Sequence, residues 1–301
     1  MSIRPGESEG VLMFAQFTLN GIDLDVRSTH GFIAHADEVV SEVLLRTVYN
    51  AKGVCARINT RDEADMTAHK DDFFFDCGNG MFDHHSATDK EITYPNGIIL
   101  SSIGKILEAA VNDGKLTRFV ADYLLMNGLY ALQAQDNGQD SNEFYRPFQV
   151  ITLMSEKDTD FEYLVSLAQT IFDKLLADAK TAEQNWPVFC KQASQMKDGI
   201  ICSEHMNAFG LFACMWNAEH ECNRVLFHVF PSIRGGFMGE TVKQFSGSFI
   251  DICSFAQEDK AATPDAVFVH NSGFLCQAET EEGVLRMIES AMTRACDVAR
   301  A

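Results

Sequence analysis

Asp72-Phe73-Phe74-Phe75-Asp76, followed by Phe82-Asp83-His84-His85, is the stretch on which the fold is decided. The phenylalanine run reads as a short buried strand, and its acidic ends mark where it enters and leaves the core. Successive side chains of a strand point to opposite faces, so His84 and His85 cannot share one face of a regular strand. A loop that presents imidazoles to a cleft suits them better. Two more clusters lie outward from it. Thr29-His30-Gly31-Phe32-Ile33-Ala34-His35-Ala36-Asp37-Glu38 is upstream, and Gln135-Asp136-Asn137-Gly138 is downstream. Each follows an apolar segment, so the pieces can converge on one edge of a sheet.

The elements around them alternate. Residues 11–19 read as a strand, Asn20-Gly21 as a hairpin turn and Ile22–Val26 as its alternating partner, which places His30 just past a strand end. Val39, Val40, Val43, Leu44 and Val48 recur at helical spacing from Asp37 to about Lys52. Residues 53–58 and 72–76 read as strands, 101–112 and 117–135 as helices. Strands alternating with helices imply a mainly parallel α/β sheet, whose ligands collect beyond the carboxyl ends of the strands. Residues 137–150 are the best linker. The expected organisation is a mainly parallel α/β domain over 1–140 with an N-terminal hairpin, then a smaller α+β domain over 141–301. The second begins with a helix near 160–180, has strands at 224–230 and 266–270, and ends in an amphipathic helix at 280–298. Arg234-Gly235-Gly236-Phe237-Met238-Gly239 reads as a glycine-rich turn, either a plain hairpin or a place where backbone approaches a ligand.

With 301 residues and 46% apolar content, the chain can bury a substantial core. It has no apolar run near the ~20 residues that cross a bilayer, and no signal-peptide core near Met1. The expectation is a soluble cytoplasmic protein with no membrane partner. Nine scattered cysteines without a Cys-x-x-Cys pair fit reduced thiols. Cys202, His205, Cys214, His220 and Cys222 match no common zinc spacing, and small buried residues explain them better. The formal charge of −19 argues against broad, nonspecific binding to a polyanion. A local basic groove, or cations inside an acidic shell, remains compatible with it.

His30, His35, Asp37, Asp76, His84, His85 and Asp136 together offer a mixed imidazole–carboxylate set. That set suits Mn²⁺, Fe²⁺, Co²⁺ or Zn²⁺ better than Mg²⁺ or Ca²⁺. Asp76 is the natural bridge, since one carboxylate can span two ions ~4 Å apart. Asp83 is expected to orient a ligand histidine, and His85 to donate to a phosphate oxygen. Taken singly, each residue has a plainer reading: Asp37 as a helix N-cap, His30 and His35 as ordinary polar groups, Asp136 as a helix end. Their joint occurrence at successive element ends is what those readings explain poorly.

These residues resemble the DHH phosphoesterase superfamily, and within it the branch named after the melanocyte proliferating gene, also labelled metal-dependent protein hydrolases. Thr29, His30, His35, Asp37 and Glu38 match its opening motif, and Asp76-Cys77-Gly78 its strand-end Asp-x-Gly. Asp83-His84-His85, Leu100-Ser101-Ser102-Ile103-Gly104 and Asp136-Asn137-Gly138 match the next three. In the second half, Val225–Pro231 and Phe268-Val269-His270-Asn271-Ser272-Gly273-Phe274 followed by Glu281-Glu282-Gly283 match its closing segments. The likeness runs from about residue 24 to 295. Phe32, Ile33 and Ala34 replace residues usual in the first motif, and Gln277 and Ala278 stand where glycine and asparagine are common.

The resemblance implies a DHH domain, a smaller substrate-binding domain and an active site in the cleft between them. It implies one metal on His30, His35 and Asp76, and another on Asp37, Asp76, His84 and Asp136. Asp76, Asp83, His84 and His85 would be the catalytic group; His85, Arg234, Gly235, Gly236, His270 and Gly273 would hold substrate. The implied activity is a Mn²⁺-dependent 3′–5′ exonuclease acting on RNA or a short oligonucleotide. Alternatives are a hydrolase of a small phosphorylated nucleotide or pyrophosphate, and a non-catalytic nucleotide- or partner-binding protein. A homo-oligomer is compatible with either.

Overall fold

The computed structural model describes residues 14–78, 80–85, 92–139, 146–220, 224–242 and 254–300, the last five without their side chains. The chain forms two compact units, Met1–Lys180 and Thr181–Ala301. The 140/141 boundary read from the sequence lies inside the first unit, and residues 140–145 of the linker lie outside the described residues. No described helix is long and apolar enough to cross a membrane.

In the first unit, β1 (Arg27–His30) lies between β2 (Ala56–Ile58) and β3 (Phe73–Phe74), both parallel to it. Parallel strands end at the same edge, so His30, which closes β1, and Asp76, just past β3, share that edge. Helix α1 (Ala36–Val48) follows β1; its Val39, Val40, Val43 and Leu44 are fully buried, as the 3.6-residue period requires. Helix α2 (Glu63–Ala68) buries nothing, which is why no apolar period announces it. Helix α3 (Ser102–Asn112) packs on α1 through an apolar stripe that includes Ile103, Ile106, Leu107 and Ala110.

The single helix expected over 117–135 is three pieces: α4 (Arg118–Leu124), a π-helical turn (Leu125–Leu129) and α5 (Tyr130–Asp136). Gly128, at φ +147°, makes the break, and any Cβ there would lie 2.5 Å from the Pro147 ring. Helix α6 (Gln149–Met154) follows.

Among the described residues, the N-terminal hairpin is not formed. Residues 11–13 lie outside the described residues, and 17–19 and 22–26 are not strands. Phe17, Leu19 and Leu24 are buried, but no ladder satisfies their backbone. Asn112 Nδ2 donates to the Phe14 and Phe17 carbonyls, and Leu19 N donates to Asp113 Oδ2 at 2.8 Å. The C-terminal side chains around α3 thus replace a partner strand. Asn20-Gly21 does form a turn, with Ile22 N bonded to Leu19 O.

Helix α7 (Phe161–Gln195) runs from the first unit into the second. The second unit holds a five-stranded sheet in the order β4-β5-β6-β8-β7: β4 (Ile200–Cys202), β5 (Phe227–Pro231), β6 (Phe237–Thr241), β7 (Ala266–Val269) and β8 (Leu275–Ala278). Only β4 and β5 pair in parallel; the rest are antiparallel. Helices α8 (Phe209–Glu219), α9 (Gln257–Ala261) and α10 (Glu281–Arg300) complete it. Val284, Met287, Ile288 and Ala291 of α10 pack with Phe227, Val229, Cys276 and Ala278 of the sheet.

The glycine-rich segment is a β5–β6 hairpin turn; Phe237, Met238 and Gly239 belong to β6. Gly236 (φ +69°) is required because a Cβ would lie 2.3 Å from the Ala278 carbonyl oxygen. Further along β5, opposite Glu240, fully buried His228 is satisfied by Ser203 Oγ and Glu240 Oε1, each 3.0 Å away, and stacks on Phe209.

Candidate metal centre

The first unit gathers the ligand-type residues from five places in the chain. His30 ends β1. Behind it, Gly31 N donates to Ile58 O at 2.6 Å, and a Cβ there would lie 2.8 Å from that oxygen. A larger residue would push the loop, and with it His30, off the sheet edge. His35 is the N-cap of α1, its backbone N–H taken by Glu38 Oε1 at 2.7 Å. Asp37 sits in the first turn of α1, where the exposed amides favour an anion. Asp76 takes a left-handed backbone (φ +56°), unusual for a residue with a side chain, and its N–H donates to Phe82 O. Asp136 ends α5.

Asp76 lies at the centre. Its Oδ2 is 3.3 Å from His30 Nε2 and its Oδ1 is 3.1 Å from His84 Nδ1. His84 Nε2 in turn lies 2.7 Å from Asp136 Oδ2. Three sets of ligand atoms converge to within 4.8 Å of one another: His30, His35 and Asp76; Asp37, Asp76, His84 and Asp136; and Asp76, His84 and His85. Asp76 belongs to all of them. His85 is mostly exposed and is held by Asp83, whose Oδ1 accepts from the His85 backbone N and lies 2.9 Å from its Nδ1.

The surrounding residues fix the carboxylates. Ser101 Oγ donates to Asp37 Oδ1. Ser102 Oγ donates to Phe82 O at 2.7 Å and lies 3.3 Å from Asp76 Oδ1. Buried Lys105 donates to the Asp83 carbonyl at 2.9 Å. Glu38, fully buried, accepts from Thr29 Oγ1 and lies 3.0 Å from Arg57 Nη1 and 3.2 Å from His30 Nε2. The Glu38–Arg57 pair, Ser102 and Lys105 carry no sequence signal of their own. Glu38, Ser101 and Ser102 were visible only as members of matched motifs.

Burial and the neighbouring charges of Asp136 and Asp76 push the Asp37 carboxyl well above its usual range. Burial also lifts Glu38, to about 7, against the pull of Arg57 and His30. Burial opposes charging of His84, yet its contacts with Asp136 and Asp76 and the charge of Asp37 raise it to about 10. His30 is raised on the same balance, with Asp76 and Glu38 outweighing burial. Burial works against ionising Asp76, and the two histidines hold it below the usual carboxylate range all the same. His85 is raised chiefly by its hydrogen bond to Asp83.

His30 Nδ1 and Asp37 Oδ2 are among the buried polar atoms that have no hydrogen-bond partner. Unsatisfied donor atoms within a converging imidazole–carboxylate set fit divalent cations. Acidic and histidine side chains thus cluster so that they could bind metal ions.

The other sequence candidates lie in the second unit. Arg234 and Gly235 are exposed on the hairpin turn; His270 is exposed in the β7–β8 turn with its Nδ1 2.8 Å from Ser272 Oγ. Gly273 (φ +72°) packs against Phe255, whose carbonyl oxygen a Cβ would approach to 2.6 Å. Among the described residues, Cys202, His205, Cys214 and His220 form no group of converging ligands; Cys222 lies outside them.

A mixed α/β chain with a small parallel sheet, a mixed sheet and a histidine–carboxylate cluster defines the class. Residues 142–292 match the family model MYG1_exonuc, described as an uncharacterised protein family (UPF0160), and the chain belongs to that family. The matched residues make up half of the chain and lie beyond the histidine–carboxylate cluster. The family's label points to a nuclease-type hydrolase. No curated protein matches the chain. No solved structure matches it either.

Proposed function

We propose that the chain is a two-metal phosphoesterase of DHH type, hydrolysing phosphodiester bonds from the 3′ end of RNA or a short oligonucleotide. The observation that carries this reading is Asp76, a buried carboxylate shared by ligand groups on its two sides. Two divalent ions there, Mn²⁺ on the resemblance, would supply Lewis acidity: a more acidic water and a clamp on phosphoryl oxygens. His30 and His35 would hold one ion, and Asp37, His84 and Asp136 the other, with Asp76 between them. His85, exposed and oriented by Asp83, would donate a hydrogen bond to a phosphate oxygen. On the resemblance alone, Arg234, Gly235, Gly236, His270 and Gly273 are assigned to holding substrate, and the protein to the cytoplasm. The charge of −19 favours one second reading, a small phosphorylated nucleotide or pyrophosphate as substrate.

The test is a 5′-labelled RNA incubated with Mn²⁺, then with chelator, beside mononucleotide and pyrophosphate controls. Metal-dependent stepwise shortening from the 3′ end is the expected result. Phosphate release from only the small substrates would replace it with the second reading. Hydrolysis that survives complete chelation would refute both.

A further inference from the structure

The metal cluster opens into a cavity of about 840 Å³ whose wall includes Phe32, Ile33, Arg61 and Lys157 beside His35 and Asp76. Phe32 is 55% exposed there, in a chain that buries most of its other phenylalanines. Its backbone is held: Arg57 Nη2 donates to Phe32 O at 2.9 Å, and Gly31 is pinned against β2. The Arg61 guanidinium lies over the Phe32 ring, 5.7 Å from its centroid. An exposed ring backed by a cation suits a flat π-system, and the cations Arg61 and Lys157 on the same wall suit the phosphates attached to it.

Resting on the phosphodiesterase reading, we infer that Phe32 is a stacking platform for the terminal base of a single-stranded substrate, with Arg61 behind it. Inorganic pyrophosphate would have no use for this apolar wall. The inference therefore names the substrate class as base-bearing, and read-out there as tolerant of sequence, because every base has a π-face.

The experiment compares an oligoribonucleotide with the same strand ending in an abasic 3′ residue, using wild type, Phe32→Ala and Phe32→Trp loaded with Mn²⁺. Wild type should show a KM roughly 5- to 100-fold lower for the base-ended strand. Phe32→Ala should collapse that ratio while retaining the wild-type metal content, and Phe32→Trp should restore it. An unchanged ratio in Phe32→Ala overturns the inference and leaves the phosphodiesterase standing. If wild type cleaves neither strand, the phosphodiesterase reading fails. Equilibrium binding of an oligonucleotide ending in 2-aminopurine then decides the platform: quenching lost in Phe32→Ala supports it, and no quenching in wild type overturns it.

Discussion

Metal binding to this cluster must displace protons, and the number and pH range follow from His84. Its imidazole lies among Asp37, Asp76 and Asp136, which hold it protonated up to about pH 10. A metal needs the nitrogen lone pair that this proton occupies. Removing the proton at pH 7 costs about 4 kcal/mol at 1.36 kcal/mol per pH unit. The side chain is only 6% exposed, so solvent screens little of this. Apparent Mn²⁺ affinity at the Asp37–Asp76–His84–Asp136 group should therefore rise about tenfold per pH unit from pH 7 upward, until the proton is gone. Titration calorimetry of the chelated protein with Mn²⁺ at pH 7.0, 7.5 and 8.0, in buffers of differing ionisation enthalpy, reads both quantities. At least one proton should be released per chain. Affinity that is flat across this range with no proton release would refute His84 as a protonated ligand.

Three more outcomes are expected. In the chelated protein, His84 has a raised folded value, so its stabilisation is complete below about pH 6.5 and is lost as pH rises toward 10. Asp37, also raised, is stabilising only while protonated and adds to that loss, whereas Asp76, depressed, contributes above its unfolded value and is lost on acidification. Tm should thus fall from pH 6.5 to 9, and saturating Mn²⁺ should reverse the trend; a metal-free Tm that climbs over this range would contradict it. Arg27→Met leaves fully buried Glu42 with Arg46 as its partner but takes the guanidinium donor from the Leu24 and Lys52 carbonyls, so it should cost about 1–3 kcal/mol, which thermal melts would read as a fall of roughly 2–12 °C. Gly104→Ala drives a Cβ to 2.0 Å from Gln133 Oε1, the acceptor of Ser101 N, and should cost about 1–3 kcal/mol by denaturant melts together with weakened Mn²⁺ binding at Asp37.

The sequence revealed most where periodicity and chemistry coincide. Val39, Val40, Val43 and Leu44 announce α1, and the residues of the histidine–carboxylate cluster stand near element ends that their own apolar neighbours mark. It misled where a strand-like pattern is satisfied without a ladder: around Phe17 and Leu19, side chains of Asn112 and Asp113 take the backbone groups a partner strand would have used. Long-range pairing was invisible for the same reason. Nothing local links Glu38 to Arg57, Ser203 to His228, or Gly128 to the Pro147 ring that demands it. The break in the 117–135 helix and the burial of Lys105 are tertiary facts, written by neighbours distant in the chain.

The most direct test of the central claim is the metal content of the Mn²⁺-reconstituted chain, counted by elemental analysis after gel filtration, for wild type and Asp76→Ala. If Asp76 serves both sides of the cluster, wild type carries two ions per chain and the variant loses the pair together with hydrolysis. A variant that still holds two ions and remains active would contradict the account.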